Sequence, residues 1–160
     1  MFNLFTSKKT VVTLYAPVKG RIIDITEVPD PVFAGLMMGD GLGVEPAEGV
    51  IIAPCDGEIV LVSKTLHAVA LKTCEGLEVL IHVGLDTVEL GGQGFVAHVQ
   101  PGDKVTRGDK LLTFNRDYIQ SQGKSLITPI VITNMADKVA GISKFLDKTN
   151  GIIMEVAVRK

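Results

Sequence analysis

Tryptophan is absent, only three histidines and two cysteines occur, and aromatic residues make up 5% of the 160 positions. Each scarcity excludes something. Cys55 and Cys74 are too few for a disulfide framework and lack C-x-x-C spacing, so both read as small core residues rather than redox or zinc ligands. Sixteen basic residues against 18 acidic leave a formal charge of -2, which provides no field for nucleic acid or an anionic membrane. The chain is 46% hydrophobic, yet no apolar run approaches the roughly 18 to 20 residues of a membrane span. The first residues, MFNLFTSKK, lack the apolar stretch of roughly 7 to 15 residues and the small-residue cleavage site of a secretion signal, which predicts a cytoplasmic protein.

What is abundant is strand signal. VVTLYA, GRIIDIT, GVIIAP, GEIVLVS, HAVALKT, LEVLIHVG and GIIMEVAVR are short, rich in Val and Ile, and separated by Gly, Pro and Asp. With 17 Gly and 7 Pro to break the chain, long helices have no room. The expected fold is all-β: an antiparallel β-sandwich or barrel-sandwich hybrid with a duplicated motif and only short helical segments. Residues 1–12 read as a flexible N-terminal segment and 13–160 as a single domain. The best helical candidate is Ala136 to Leu146, where Val139, Ile142, Phe145 and Leu146 approximate a helical stripe interrupted by Gly141.

The chain also resembles itself. Ala16-Pro-Val-Lys-Gly-Arg-Ile-Ile-Asp-Ile matches Ala53-Pro-Cys-Asp-Gly-Glu-Ile-Val-Leu-Val. Both copies specify a turn at Pro and Gly followed by a strand. Gln100-Pro-Gly-Asp-Lys-Val-Thr-Arg-Gly-Asp-Lys-Leu adds two Gly-Asp corners. These elements resemble the corners of barrel-sandwich hybrid folds, a likeness of fold that says little about function.

Chemistry has few places to reside. In Leu77–Gly84, Val79, Ile81 and Val83 point to one face of a strand, and Leu80 and His82 to the other. Glu75-Gly76 lies midway between His67 and His82, so two strands turning there bring the histidines to similar heights. Two imidazoles on adjacent strands form either a metal site or a phosphoryl site. Gly84 lets the backbone come close, and Asp86 adds a carboxylate. His98 reads as a strand-surface residue with no role.

From Ala16 to about Val158 the sequence resembles the glucose-family IIA proteins of the bacterial phosphoenolpyruvate-dependent sugar phosphotransferase system. The resemblance rests on Ile25-Thr-Glu-Val-Pro-Asp-Pro-Val-Phe, Gly39-Asp-Gly-Leu-Gly-Val, Ala53-Pro-Cys-Asp-Gly, Thr65-Leu-His-Ala, and Leu80-Ile-His-Val-Gly-Leu-Asp-Thr-Val-Glu-Leu with Gly94-Phe. It implies a phosphotransferase component with a phosphohistidine intermediate. His82 would accept phosphate on Nε2 from the phosphocarrier HPr and give it to a cysteine on the sugar-specific IIB domain of a IIBC permease. It further implies that the Gly84 carbonyl fixes the His82 tautomer, that His67 steadies the phosphoryl oxygens and serves mainly in donation, and that Thr65 orients His67. Val32, Phe33, Met37, Met38 and Leu80 would form an apolar docking rim, with Asp30 and Asp86 facing an arginine of HPr. Regulatory protein targets belong to the same expectation, and the alternative is a regulatory IIA-like protein phosphorylated at the same His82 without driving transport. No cofactor is required, and zinc held by His67 and His82 is allowed only as an accessory.

Two readings from other classes compete. His82 and Asp86 fit the H-x-x-x-D of lysostaphin-like zinc peptidases by spacing, but the second motif of that class, H-x-H, does not occur. A biotinyl or lipoyl carrier would present Met-Lys-Met or Asp-Lys-Ala at a hairpin tip, and neither occurs.

Overall fold

The computed structural model describes residues 10–147 and 151–159. It places strands β1 (Thr10–Tyr15), β2 (Gly20–Asp24), β3 (Asp40–Pro46), β4 (Val50–Ile52), β5 (Gly57–Val62), β6 (Ala68–Lys72), β7 (Glu78–His82), β8 (Phe95–Ala97), β9 (Lys104–Val105), β10 (Lys110–Phe114), β11 (Thr128–Ile132), β12 (Val139–Lys144) and β13 (Ile152–Val158). Among the described residues helices are confined to α1 (Pro31–Ala34), α2 (Arg116–Ser121) and α3 (Met135–Lys138), with 3-10 turns at Ile25–Glu27 and Thr87–Leu90.

Among the described residues every strand pairing is antiparallel. One large sheet runs β2-β3-β11-β7-β6-β5-β9, and two smaller ones run β1-β13-β12 and β4-β10-β8. The large sheet ends at β2 and β9 and does not close on itself; the antiparallel β-fold with only short helices is the one expected.

The repeat occupies corresponding corners. Its copies become β2 and β5, and their Ala-Pro turns are laced together: Tyr15 N–H donates to the Pro54 carbonyl (2.9 Å) and Ile52 N–H to that of Pro17 (2.8 Å). The shared glycines do not turn the chain. Gly20 and Gly57 open the two strands, where a Cβ would lie 2.0 Å from the Glu45 carbonyl oxygen and 2.8 Å from that of Lys72, respectively. Close approach of the neighbouring strand is what requires glycine there.

Alternation along the strands of the large sheet builds two apolar layers. Ile22, Val69, Leu71, Val79, Ile81 and Ile130 join the main core. The opposite face carries Ile23, Ala68, Leu80 and Val131, which pack with Ile25, Val28 and Phe33 from the connection between β2 and β3. That connection, residues 25–39, is thus a lid of chain over the second face of the sheet.

Three expectations change. Thr10, Val11 and Val12, assigned to a flexible segment, pair in register with Val158, Ala157 and Val156; residues 1–9 of that segment lie outside the described residues. The helix expected over Ala136 to Leu146 survives only as α3. From Val139 the chain is strand, paired with β13, because that open edge offers its backbone groups partners and Gly141 weakens the helical alternative. Cys55 is buried as expected, its thiol pushed up to about 12 by burial first and then by Asp56 and Glu75. Cys74 is exposed rather than a core residue.

Candidate functional site

His82 is the last residue of β7, on the face opposite Val79 and Ile81. Its Nδ1 lies 2.8 Å from the carbonyl oxygen of Gly84. A carbonyl only accepts, so Nδ1 carries the proton and Nε2 keeps its lone pair. The carbonyl is held in place by the backbone. Gly84 has φ 78°, Thr87 donates its hydroxyl to the Val83 carbonyl (2.5 Å), and Leu85 N–H donates to that of Ser125 (3.1 Å). A Cβ on Gly84 would lie 2.5 Å from Thr87 Cγ2.

His67 arrives from a turn. Leu66 N–H donates to the Ser63 carbonyl, Ser63 N–H to the Ala68 carbonyl (both 2.9 Å), and Leu66 adopts φ 62°. His67 follows, 7% exposed. Its Nδ1 lies 2.7 Å from Thr65 Oγ1 and 3.4 Å from Ser63 Oγ. That contact engages Nδ1; with the Thr65 hydroxyl as donor the ring's one proton would sit on Nε2.

The two rings meet edge to face, centroids 4.7 Å apart and planes at 82°. Phe33 abuts His82 from another side at 5.1 Å. The surroundings favour neutral imidazoles. Burial, then the neighbouring His82, lowers the His67 pKa to about 4 against opposing hydrogen bonding at Thr65. Burial lowers that of His82 as well, opposed by its bond to Gly84 and the charges of Asp30 and Asp86. Neutral imidazoles can serve at neutral pH either as a nucleophile through the unprotonated nitrogen or as an uncharged N–H donor.

The expected rim divides into two layers. Met37, Val32 and Met38 are exposed, at 76%, 41% and 37%. Phe33 and Leu80, expected beside them, are buried at 5% and 6%. They form a floor under His82, because the second face of the sheet is covered by residues 25–39. Asp30 caps α1, its carboxylate accepting from Val32 N–H at 2.9 Å. Asp86 is exposed at φ 59°, with no cap bond to the 3-10 turn that follows. Sequence reading missed Ser63 and Thr87, whose hydroxyls hold the turns, and Leu36, exposed at φ 62° beside the methionines. Leu36 carried no signal in a single sequence, whereas Thr87 stood within the quoted motif.

A resident zinc ion does not fit. The two histidines supply two ligands, and among the described residues no group of three or more His, Cys, Asp and Glu is placed to hold a metal. His98 is exposed, its Nε2 3.1 Å from Thr113 Oγ1, and takes no part.

Fold and site together define a class: an antiparallel β-domain that presents one free imidazole nitrogen, a second imidazole beside it, and an apolar shelf. The family model for the phosphoenolpyruvate-dependent sugar phosphotransferase system, EIIA 1, matches residues 12–138, and the chain belongs to that family, a phosphotransferase component with a phosphoryl-carrier role in sugar uptake. It is 54% identical over 128 residues to the glucose-specific EIIA component of Bacillus cereus, covering 80% of this chain and 78% of that one. It is 47% identical over 126 residues to part of the mannose-specific EIIBCA component of Corynebacterium glutamicum, covering 79% of this chain and 18% of that protein. Among solved structures, the glucose permease IIA of Mycoplasma capricolum superposes with TM-score 0.77 at 33% identity, over 94% of this chain and 93% of that one. Among the described residues no helix is long and apolar enough to cross a membrane.

Proposed function

We propose that the chain acts as one cytoplasmic phosphocarrier domain, β1 from Thr10 included, in which His82 Nε2 takes a phosphoryl group from phospho-HPr and passes it to a cysteine of a IIB domain. The observation that carries this reading is the bond between His82 Nδ1 and the Gly84 carbonyl, which leaves Nε2 unprotonated. In the first transfer the bond from phosphorus to the donor nitrogen breaks as the bond to Nε2 forms, in line. The Nδ1 proton stays, so the phosphorylated ring is cationic and remains a good leaving group for the second transfer, in which the bond to Nε2 breaks as a bond to the acceptor thiolate forms.

His67 supports mainly the second step, donating Nε2–H to the phosphoryl oxygens as the group leaves His82. Thr65 holds it in that tautomer through the contact at 2.7 Å. Val32, Met37 and Met38 provide the partner contact, adaptable because methionine repacks readily. Phe33 and Leu80 support it from below, and Asp30 and Asp86 meet a cation of the donor. Regulatory partners would use the same shelf.

The test is incubation with phosphoenolpyruvate, the general enzyme and HPr. Wild type should acquire acid-labile, alkali-stable phosphate and His82→Ala none. Such phosphate on His82→Ala would overturn the assignment.

A further inference from the structure

Residues 25–39, which carry Asp30, Phe33, Met37 and Met38, leave the sheet at Asp24 and return at Asp40. Both stems end on the same cation. Lys144, the last residue of β12 in a different sheet, places Nζ 2.7 Å from Asp24 Oδ1 and 2.7 Å from Asp40 Oδ1. Each carboxylate is also engaged with its own stem. Asp24 Oδ2 accepts from Thr26 N–H (3.1 Å) and from the Thr26 hydroxyl (2.5 Å), capping the 3-10 turn that begins the loop. Asp40 Oδ1 accepts from Gly41 N–H at 2.8 Å. The three charged side chains are each less than a third exposed, at 22%, 27% and 29%.

We infer that Lys144 is a positioning residue for the His82-facing loop: its ammonium ties the two stems together and sets how residues 30–38 are presented to a partner protein. The inference rests on the phosphocarrier reading only for what the loop presents, not for the clamp itself. Apolar contacts among Ile25, Val28 and Phe33 hold the loop down, but such contacts are non-directional. A cation shared by two carboxylates fixes direction. Without it, two half-buried negative charges converge at the root of the loop with nothing between them, which drives the stems apart. The carboxyl of Asp24 reflects the arrangement: burial raises its pKa, yet Lys144 and Thr26 pull it down to about 2. Movement of the stems reaches the site because the Phe33 ring packs 5.1 Å from His82.

The experiment compares wild type, Lys144→Met, Lys144→Arg and Asp40→Asn by amide hydrogen exchange and by the rate of phosphate uptake against phospho-HPr concentration. Lys144→Met should speed exchange of amides 25–39 about tenfold while leaving β7 and β11 protected. It should raise KM about fivefold with kcat within about twofold, because docking changes and the histidines do not. Asp40→Asn should move both readouts in the same direction by less, and Lys144→Arg should restore both. Unchanged exchange and KM in a folded Lys144→Met protein overturn the inference. Faster exchange across the whole sheet does so too, since it marks a general structural role. If wild type takes up no phosphate, the carrier reading and the docking half of the inference fall, while loop exchange still decides the clamp.

Discussion

Ala68 is the register partner of His82 across β6 and β7, and Val83 donates its N–H to the carbonyl of His67 at 2.7 Å. Strand alternation by itself would send positions 67 and 82 to opposite faces. The rings meet because His67 lies one residue outside β6, where the turn through Leu66 re-aims it. Contact between the histidines therefore depends on a short turn and on Thr65, not on the ladder.

The histidines should consequently fail in different ways. His67→Gln is expected to accept phosphate at a rate within a few-fold of wild type but to transfer it to a IIB partner about 100-fold more slowly, the usual cost of losing one oxyanion donor. Single-turnover transfer from the purified phosphoprotein measures this. Full retention of onward transfer would remove His67 from the mechanism.

Gly84→Ala should damage both fold and chemistry. The added Cβ meets Thr87 Cγ2 at 2.5 Å and the Ser125 carbonyl at 2.7 Å, in backbone with φ 78°. Strain of this kind costs about 1 to 3 kcal/mol, readable as a lowered denaturation midpoint. Phosphate uptake should fall as well, because the carbonyl that fixes the His82 tautomer moves. An NMR spectrum of the His82 ring nitrogens with the wild-type tautomer in this variant would contradict the argument.

Stability should decline in acid in two stages. The unfolded chain takes up the His67 proton near pH 6.5, whereas the folded protein does so only near about 4. The unfolded state binds more protons between those values, so stability from neutral His67 is complete above about pH 6.5. It is lost as pH falls toward 4, amounting to about 3 kcal/mol. His82 shifts in the same sense. Asp24, lowered to about 2, contributes stability that is present above its ordinary carboxyl range and disappears as pH falls toward 2. Urea melts from about pH 7 to about pH 2 should show the first stage shrink in a His67→Gln protein and the second remain.

The shelf and its floor should separate on mutation. Met37→Glu exposes nothing new, since Met37 is already 76% exposed, so stability should change by no more than about 0.5 kcal/mol. Partner transfer should nevertheless slow. Phe33→Ala removes a buried ring and should cost about 3 kcal/mol or more. Equal destabilisation by the two substitutions would refute the two-layer description.

Much of this was readable before any fold was known. Seven Val- and Ile-rich segments became strands, and the period-2 pattern of Leu77–Gly84 correctly put Leu80 and His82 on one face. Such patterns are local: they depend on side-chain alternation and on the residues that break it. The repeated Ala-Pro segments likewise marked the two corners, although the glycines in them serve interstrand approach rather than the turn.

Other features required three dimensions. Whether the second face of β7 is solvent or floor depends on where residues 25–39 lie, and a single strand cannot encode that; hence Phe33 and Leu80 were expected on the surface and are buried. Residues 139–144 have a helical period but meet an open edge at β13, and pairing decides their state. Lys144 shows the limit most plainly, since its partners Asp24 and Asp40 are more than a hundred residues away in the chain. The sequence by itself determined seven of the strands and the repeat and singled out His82 as the candidate imidazole, because these follow from local pattern and motif. Only the tertiary structure decided which side chains surround that imidazole and what holds them there, because burial and charge pairing depend on distance in space.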